Sequence, residues 1–365
     1  MKWFVIFLLT TIIWLVASSL YIYDVKHPHR PPPDPEHMPP PFMNLSADVR
    51  HSFLGLQPDQ VVCYRESHRN FYVFTFILLS SVVGLVAFGF VAQRRNNRIL
   101  ADKNDEVMKQ QELLSAANEN IYSSLRYASV IQSSYLPSTL QLNQVFSSHC
   151  LIYKPKDLVS GDFYFCRQYG NQLVVALGDC TGHGVPGAFL TVTSLNHLEH
   201  LAPSFLTEPH ELLNAIQKEF DGKSDQPEVH IGLDLSVCVF DLGTKELRFA
   251  SAHQSLLIQR PDGIEEWKGT RRGIGSMPVE TPLIFATQST VLKGDEHFYL
   301  FSDGITDQFG GESAKKIGKK RLLEWIQGSA GNSTGDKQKE LNALFEEWKG
   351  NHLQTDDVCL LGFSF

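Results

Sequence analysis

The chain has 365 residues, which is enough for one large domain with accessory segments or for two domains of ordinary size. Its formal net charge is −8 and it contains no basic block, which argues against a nucleic-acid-binding protein. The six cysteines include no Cys-x-x-Cys pair and no paired His/Cys spacing, so the sequence predicts neither a zinc site nor a disulfide framework.

Two uncharged, apolar runs in the first hundred residues are each long enough to cross a membrane. Trp3–Tyr23 and Phe71–Val91 contain 21 residues each, and this length covers about 30 Å, the thickness of a hydrocarbon core. We therefore assign transmembrane helices to residues 1–23 and 71–91. The first run also has the features of a signal peptide, because Ala17-Ser18-Ser19 is a passable cleavage region. Both interpretations place the following loop on the extracytoplasmic side of the membrane.

The segment between the two runs, residues 24–70, is rich in proline and histidine. It holds half of the chain's prolines and has few apolar side chains that could form a hydrophobic core. This composition predicts a stiff, polyproline-like tether rather than a sensor domain. Its five histidines leave metal or proton sensing as the alternative. Orientation follows from the basic residues after the second run, which predict a cytoplasmic C-terminal region; these are Arg94, Arg95, Arg98 and Lys103.

Residues 92–134 are polar, lack glycine and proline, and predict a linker helix. One apolar position recurs every seven residues: Leu100, Val107, Leu114, Ile121 and Ala128. The companion heptad positions are mostly polar, whereas a stable coiled coil needs both rows apolar. The pattern indicates a weak, adjustable signalling helix that pairs in a homodimer. The alternative is a surface helix that packs on its own domain.

Beyond residue 134 the pattern changes to short strands and amphipathic helices, which predicts an α+β domain over 135–365. Phe163–Gln168 and Gln172–Leu177 are joined by a glycine-containing turn, which predicts a β-hairpin. Asp162 begins the first of these strands and Asp179 ends the second, so the hairpin brings both carboxylates to one end of a sheet. Further scaffold elements are predicted as a strand at Leu233–Leu242 and helices at Pro209–Phe220, Lys319–Gln327 and Asp336–Lys349.

Two more aspartate positions have the same relation to predicted strands. Asp303 follows the strand Phe298–Ser302, and Asp356-Asp357 opens the last strand, Val358–Phe365. We expect the four aspartates to converge at one sheet edge. Like charges that close repel by several kcal/mol, so such a cluster indicates bound cations. Any one of these aspartates has an alternative role as a turn cap.

Oxygen ligands favour hard, octahedral cations such as Mg²⁺ or Mn²⁺. Two such ions that share a carboxylate can lower the pKa of a trapped water and neutralise a phosphate under attack. The sequence therefore predicts a divalent-cation site of a kind that can activate water against a phosphate.

Four segments each hold one of these aspartates beside glycine or a second aspartate: Lys154–Tyr164, Gly178–Ala188, Phe301–Gly311 and Thr355–Val358. In this order they resemble the motifs of type 2C metal-dependent protein phosphatases, in the bacterial branch typified by the sporulation phosphatase SpoIIE. The resemblance covers residues 121–365, with support from Ile121–Pro137, Gly232-Leu233-Asp234 and Ala252-His253-Gln254.

The resemblance implies an α-β-β-α sandwich, two Mn²⁺ or Mg²⁺ ions, and hydrolysis of phosphoserine or phosphothreonine by a bridging water. Asp179 would bridge the metals together with the backbone carbonyl of Cys180. Asp162 would ligate a metal or orient its water. Asp303 and Asp356 would hold the second metal, and Asp357 would support them.

The sequence departs from the wider family near the glycine-rich turn. Eukaryotic members carry a histidine directly after Asp-Gly, whereas His183 lies four residues beyond Asp179. We therefore expect His183 to order the turn together with Gly182 and Gly184, rather than to act as a general acid. Lys156 is a candidate phosphate contact, with a solvated lysine as the alternative. His253-Gln254-Ser255 differs from the branch's commoner His-Asn-Pro, which leaves the role of that loop open.

The predicted protein is a two-pass bacterial inner-membrane phosphatase with its catalytic domain in the cytoplasm. By analogy with the branch, its substrate would be a phosphorylated STAS-type anti-sigma-factor antagonist, a separate protein of a partner-switching system. One alternative is a membrane adaptor that keeps the phosphatase fold only to bind partners. A phosphatase of small phosphoesters is another.

Overall fold

The computed structural model describes residue 11 and residues 58–221, 231–275, 284–329 and 334–365. The chain divides into two compact units, Met1–Val107 and Met108–Phe365. The first predicted transmembrane helix lies outside the described residues, except for Thr11, and so does the predicted outer segment up to residue 57.

The first long element is a single helix, α1, from Pro58 to Tyr135. It contains the predicted second transmembrane helix and the predicted linker helix without a break. The prediction that the extended outer tether reaches residue 70 is wrong, because the helix already begins at Pro58. Proline is well placed there, since the first helical position needs no N–H donor and has the φ that the proline ring fixes.

Within α1, no residue of the apolar run at 71–91 is buried, and all but three of its positions are exposed. Among the described residues, one candidate membrane span is found, within Arg69–Val145, and none of its most apolar window is buried in the protein. A core helix of a soluble domain would instead be covered by protein. A second spanning helix is not shown for the described part of the chain.

Met108–Phe365 contains two five-stranded antiparallel sheets, which we call sheet A and sheet B. Sheet A has the order β1-β12-β9-β6-β7, and its strands are Ser148–Lys154, Val358–Ser364, His297–Phe301, Ser255–Arg260 and Gly263–Lys268. Sheet B has the order β2-β3-β4-β5-β8, and its strands are Asp162–Tyr169, Gln172–Cys180, Leu233–Asp241, Glu246–Ala252 and Gln288–Val291. A short β10–β11 pair joins Phe309–Gly310 to Lys315–Lys316.

The remaining elements are helices. They are α2 (Thr139–Val145), α3 (Gly184–Leu201), a 3₁₀ turn (Ala202–Ser204), α4 (Pro209–Asp221), α5 (Asp303–Asp307), α6 (Gly318–Gly328) and α7 (Thr334–Lys349). The three predicted amphipathic helices are thus confirmed as α4, α6 and α7, and the predicted core strand is confirmed as β4.

Three apolar clusters define the layers of this unit. The central cluster takes side chains from both sheets, such as Leu177 and Phe240 of sheet B and Phe298 and Leu361 of sheet A. A second cluster lies between sheet B and helices α3 and α4. A third lies between sheet A and helices α6 and α7. The unit is therefore a helix–sheet–sheet–helix sandwich, as the resemblance implied.

Candidate active site

The β2–β3 hairpin sets the first two aspartates side by side. Asp162 is the direct partner of Asp179 in the strand register, which confirms the predicted hairpin. Gly170 closes the turn with a φ of 60°, a conformation that glycine adopts without strain. The next strand, β4, places Asp234 opposite Asp179. Three carboxylates thus occupy neighbouring strands at one level of sheet B.

The other two predicted ligands belong to sheet A. Asp303 is the first residue of α5, immediately beyond β9, and Asp356 lies just before β12. The expectation that all four aspartates share one sheet edge is therefore wrong. They lie at the ends of strands of two stacked sheets, because β9 and β12 pair in sheet A while β2 and β3 pair in sheet B.

A buried hydroxyl links the two sheets at this point. Ser302 donates a hydrogen bond from Oγ to Asp162 Oδ2 over 2.5 Å, and its Oγ also accepts one from the Cys359 backbone N–H at 3.0 Å. Ser302 is fully buried and Asp162 is 1% exposed. The side chain of Asp162 is thus fixed by a residue adjacent to Asp303.

Asp357 organises the loop that leads into β2. Its two carboxylate oxygens accept hydrogen bonds from the backbone N–H groups of Lys156 and Gly161, each at 2.7 Å. Asp357 is buried, whereas Asp356 is exposed. This geometry fits the supporting role expected for Asp357. Lys156 contributes its backbone to this arrangement, and its side chain is partly exposed.

The glycine-rich turn passes very close to the same loop. A Cβ atom on Gly161 would lie 2.7 Å from the carbonyl oxygen of Gly182 and 3.0 Å from that of Cys180. Gly182 and Gly184 have φ values of 90° and 67°, which only glycine adopts readily. The carbonyl of Cys180 therefore faces the Gly161–Asp162 backbone, while its thiol is buried against Ser194 and Thr191 at 3.9 Å.

His183 lies at the start of α3 but does not cap the helix with its side chain. Its Nδ1 instead lies 2.8 Å from Asp157 Oδ2, and both side chains are about half exposed. The pair joins the glycine-rich turn to the loop before β2. This contact is consistent with the expected ordering role of His183.

The electrostatics of the cluster are unfavourable without cations. Burial, followed by the charges of Asp357, Asp356 and Asp303, raises the pKa of Asp162 to about 8, although the Ser302 hydrogen bond opposes this rise. Burial and the charge of Asp162 also raise the pKa of Asp179 well above its usual range. In the described residues, no Lys, Arg or His side chain forms an ion pair with Asp162, Asp179, Asp303 or Asp356.

These residues fit divalent cations by their chemistry. The donors are carboxylates and backbone carbonyls, which hard cations prefer, and the uncompensated charge needs a positive partner. Within the described ranges, no group of three or more Asp, Glu, His or Cys side chains is arranged to hold an ion by itself. This is compatible with Mg²⁺, which commonly takes only one or two carboxylates and keeps several waters.

Several residues at the site were not predicted from the sequence. Gln132 of α1 bonds both ways with the Ser160 backbone, donating from Nε2 at 2.6 Å and accepting at Oε1 at 3.0 Å. Asp157 and Ser302 lie within the motif segments Lys154–Tyr164 and Phe301–Gly311, but no role was predicted for either residue. Asp234 was noted only as part of a supporting motif, and its contact with His253 was not foreseen. None of these contacts follows from local sequence pattern, because each joins distant parts of the chain.

The chain also matches known proteins in sequence and in fold. The family described as Stage II sporulation protein E (SpoIIE) matches residues 169–365. The chain is similar to the SiaA-PP2C domain of Pseudomonas aeruginosa, with 30% identity, a TM-score of 0.62, and coverage of 68% of this chain and 99% of that one. No curated protein matches the sequence.

A second solved structure is the PP2C phosphatase domain of SpoIIE from Bacillus subtilis with a fragment of its regulatory domain. It is 19% identical, with a TM-score of 0.50 and coverage of 60% of this chain and 62% of that one, and it shows likeness of fold alone. The family match covers more than half of the 365 residues. The chain therefore belongs to the SpoIIE family and carries a PP2C-type serine/threonine protein phosphatase domain.

Proposed function

We propose that the protein is a membrane-anchored, metal-dependent phosphoserine/phosphothreonine protein phosphatase of bacterial signalling. The metal dependence is inferred from the four aspartates Asp162, Asp179, Asp303 and Asp356. None of them has an ionic partner among the described residues, and the carboxylate of Asp162 is buried. Two Mn²⁺ or Mg²⁺ ions would lower the pKa of a water molecule and neutralise the phosphoryl oxygens under attack.

The residues of the site would divide this work. Asp179 and the carbonyl of Cys180 would hold both ions, and Asp303 and Asp356 would hold the second. Asp162, fixed by Ser302, would orient the attacking water. Asp357, Gly182, His183 and Gly184 would keep the two loops at the required distance, and Lys156 would contact the phosphate.

The exposed apolar run at 71–91 supports membrane attachment, because a soluble protein rarely leaves so long an apolar surface in water. The proposed arrangement is two-pass in the inner membrane, with residues 135–365 in the cytoplasm. Pairing of residues 92–134 between two copies would form a homodimer. By analogy with the branch, the substrate would be a phosphorylated STAS-type anti-sigma-factor antagonist.

The direct test is hydrolysis of a phosphoserine peptide by the full chain in detergent, with Mn²⁺, with Mg²⁺ or with a chelator. We expect turnover only with a cation, and loss of turnover in Asp179→Asn. Asp262→Asn is the matched control, because Asp262 is an exposed aspartate in the turn between β6 and β7. Equal turnover in wild type and Asp179→Asn would contradict the proposed mechanism.

A non-catalytic adaptor is the alternative function. Calorimetric titration of the full chain with Mn²⁺ distinguishes the two, since an adaptor has no need to bind two ions. For the substrate, a pull-down with the Asp179→Asn variant and identification of the bound phosphoprotein tests the STAS assignment.

A further inference from the structure

His253 forms a second histidine–aspartate pair at the edge of the carboxylate cluster. Its Nδ1 lies 2.5 Å from Asp234 Oδ2. The other carboxylate oxygen of Asp234 is close to the chain as well, because a Cβ atom on Gly273 would lie only 2.3 Å from Oδ1. The carboxylate is thus confined on both sides, and it fixes the orientation of the imidazole ring.

The backbone of His253 is held in a conformation that most side chains avoid. Its φ is 70°, and such left-handed positions are uncommon for residues other than glycine, although histidine and asparagine are enriched there. The backbone N–H of His253 donates to the Thr270 carbonyl at 2.7 Å, and Thr270 N–H donates to Ser251 at 2.9 Å. Strained positions that the surroundings enforce occur frequently at functional sites.

The placement of this pair brings the imidazole to the cluster. Asp234 is the strand partner of Asp179. Burial, followed by neighbouring carboxylates, raises the pKa of Asp303, and a protonated His253 opposes that rise. More than half of the His253 side chain is open to solvent. The ring is therefore bonded to the strand partner of Asp179 and is open to solvent.

We propose that His253 is a catalytic residue that protonates the seryl or threonyl oxygen as it leaves, and that Asp234 is its positioning residue. This inference rests on the proposed phosphatase function. As water oxygen bonds to phosphorus, the bond from phosphorus to the seryl oxygen breaks and its electron pair goes to that oxygen. The protonated imidazole, with Nδ1–H bonded to Asp234, transfers the proton on Nε2 to it. Solvent then returns a proton to Nε2.

Leaving-group chemistry provides the test. A serine alkoxide is strongly basic and needs a proton, whereas nitrophenolate leaves as a stable anion. We compare kcat/KM of the full chain in detergent with Mn²⁺ for a phosphoserine peptide and for p-nitrophenyl phosphate. His253→Asn is the first variant, because asparagine accepts the left-handed backbone but carries no acidic proton. Asp234→Asn is the second variant.

General acids contribute on the order of 10²–10⁴ in rate, so we expect His253→Asn to lower turnover of the peptide by about 100-fold or more. The loss with p-nitrophenyl phosphate should be at least tenfold smaller. Asp234→Asn should also lower turnover of the peptide more than turnover of p-nitrophenyl phosphate, but by a smaller factor than His253→Asn. His200→Gln is the matched control, since His200 is exposed and its Nδ1 bonds a carbonyl of its own helix, α3.

Equal losses with both esters in His253→Asn, or no loss with either, would overturn the proposal while leaving the phosphatase function in place. A shift in unfolding temperature measured on the same samples separates a misfolded variant from a catalytic one, and Asp234→Asn then decides the question. A wild-type chain that hydrolyses neither ester would instead overturn the phosphatase function and this inference with it.

Discussion

The two halves of the carboxylate cluster are positioned by different means. On the sheet B side, Asp162 and Asp179 face each other in a tight hairpin and are aligned by backbone hydrogen bonds between adjacent strands. On the sheet A side, Asp303 and Asp356 reach the cluster only because the two sheets stack. The hairpin half is a product of local structure, and the sheet A half depends on packing of the whole sandwich. Ser302 is the hydrogen-bonded link between them.

Asp162→Asn tests the link itself and should have the largest effect. It removes a buried charge but keeps an oxygen that can accept the Ser302 hydrogen bond. We expect phosphatase turnover to fall by about 10²–10³, the cost of removing one preorganised charge-stabilising group. Turnover of the full chain with Mn²⁺ is the measurement, with Asp262→Asn as the control.

The same variant should be more stable than wild type when a chelator removes the cations. Because the pKa of Asp162 is raised to about 8, the folded state holds a proton between roughly pH 4 and 8 that the unfolded state has released. Wild-type stability should therefore fall as pH rises through this range. At pH 8 the gain from Asp162→Asn should be on the order of 5 kcal/mol in the free energy of unfolding, because the pKa of Asp162 rises from 3.8 to about 8. A wild-type stability that is flat across this range would contradict this explanation.

Alanine at two glycines compares the halves directly. A Cβ on Gly304 would lie 1.9 Å from the backbone oxygen of Asp357, whereas one on Gly178 would lie 2.2 Å from Cζ of the Phe163 ring. Because a ring can tilt, Gly178→Ala should lower the free energy of unfolding by about 1–3 kcal/mol, as overpacking usually does. Gly304→Ala should lower the free energy of unfolding by more than Gly178→Ala does, because the backbone of Asp357 must shift to make room for the added Cβ.

Gly170→Ala provides the reference for this pair of glycines. Its φ is positive, but nothing lies within 4 Å of the added Cβ, so only the backbone penalty of about 1–2 kcal/mol applies. Unfolding temperature is the measurement for all three variants. A larger loss for Gly178→Ala than for Gly304→Ala would show that the hairpin half is the more rigid one.

Gln132→Ala tests how α1 supports the hairpin half. It removes both hydrogen bonds to Ser160, and a buried polar group that loses its partner costs about 1–3 kcal/mol. We expect a similar loss of stability, together with a several-fold loss of turnover, because Ser160 precedes Gly161 and Asp162. Gln110→Ala, at an exposed position of α1, is the control. Unchanged turnover in Gln132→Ala would separate helix support from catalysis.

His183→Gln should have the smallest effect on stability. The contact with Asp157 is half exposed, and ion pairs of this kind contribute about 0–1 kcal/mol. We therefore expect a change in unfolding free energy below about 1 kcal/mol. A larger loss would mean that the contact between the glycine-rich turn and the loop before β2 is a main support of the hairpin half.

The two halves also differ in how far the sequence predicts them. The hairpin was predictable because a glycine-containing turn between two apolar runs fixes both the pairing and the register of Asp162 and Asp179. Asp303 and Asp356 could be recognised as residues at strand ends, but their assignment to a second sheet could not. Strand order depends on the packing of apolar faces, which no local pattern encodes.

Contacts between distant residues were the least predictable part of the site. Ser302 and Asp162 are 140 positions apart, and Asp357 and Gly161 are 196 apart. The left-handed backbone conformation of His253 could not be predicted either, because a histidine in the sequence does not indicate a positive φ as strongly as a glycine does. The early start of α1 was missed because the prolines before residue 58 dominated the composition of that segment.

The burial of Cys180 bears on how the protein meets oxidants. This thiol is adjacent to Asp179, where a reactive cysteine could be mistaken for the nucleophile of a cysteine-dependent phosphatase. Burial raises its pKa, as it does for Cys150, Cys166, Cys238 and Cys359, so these five thiols are protected from deprotonation. Thiolates are the forms that peroxide and alkylating agents attack. The phosphatase unit should thus keep its activity after iodoacetamide treatment and need no reductant.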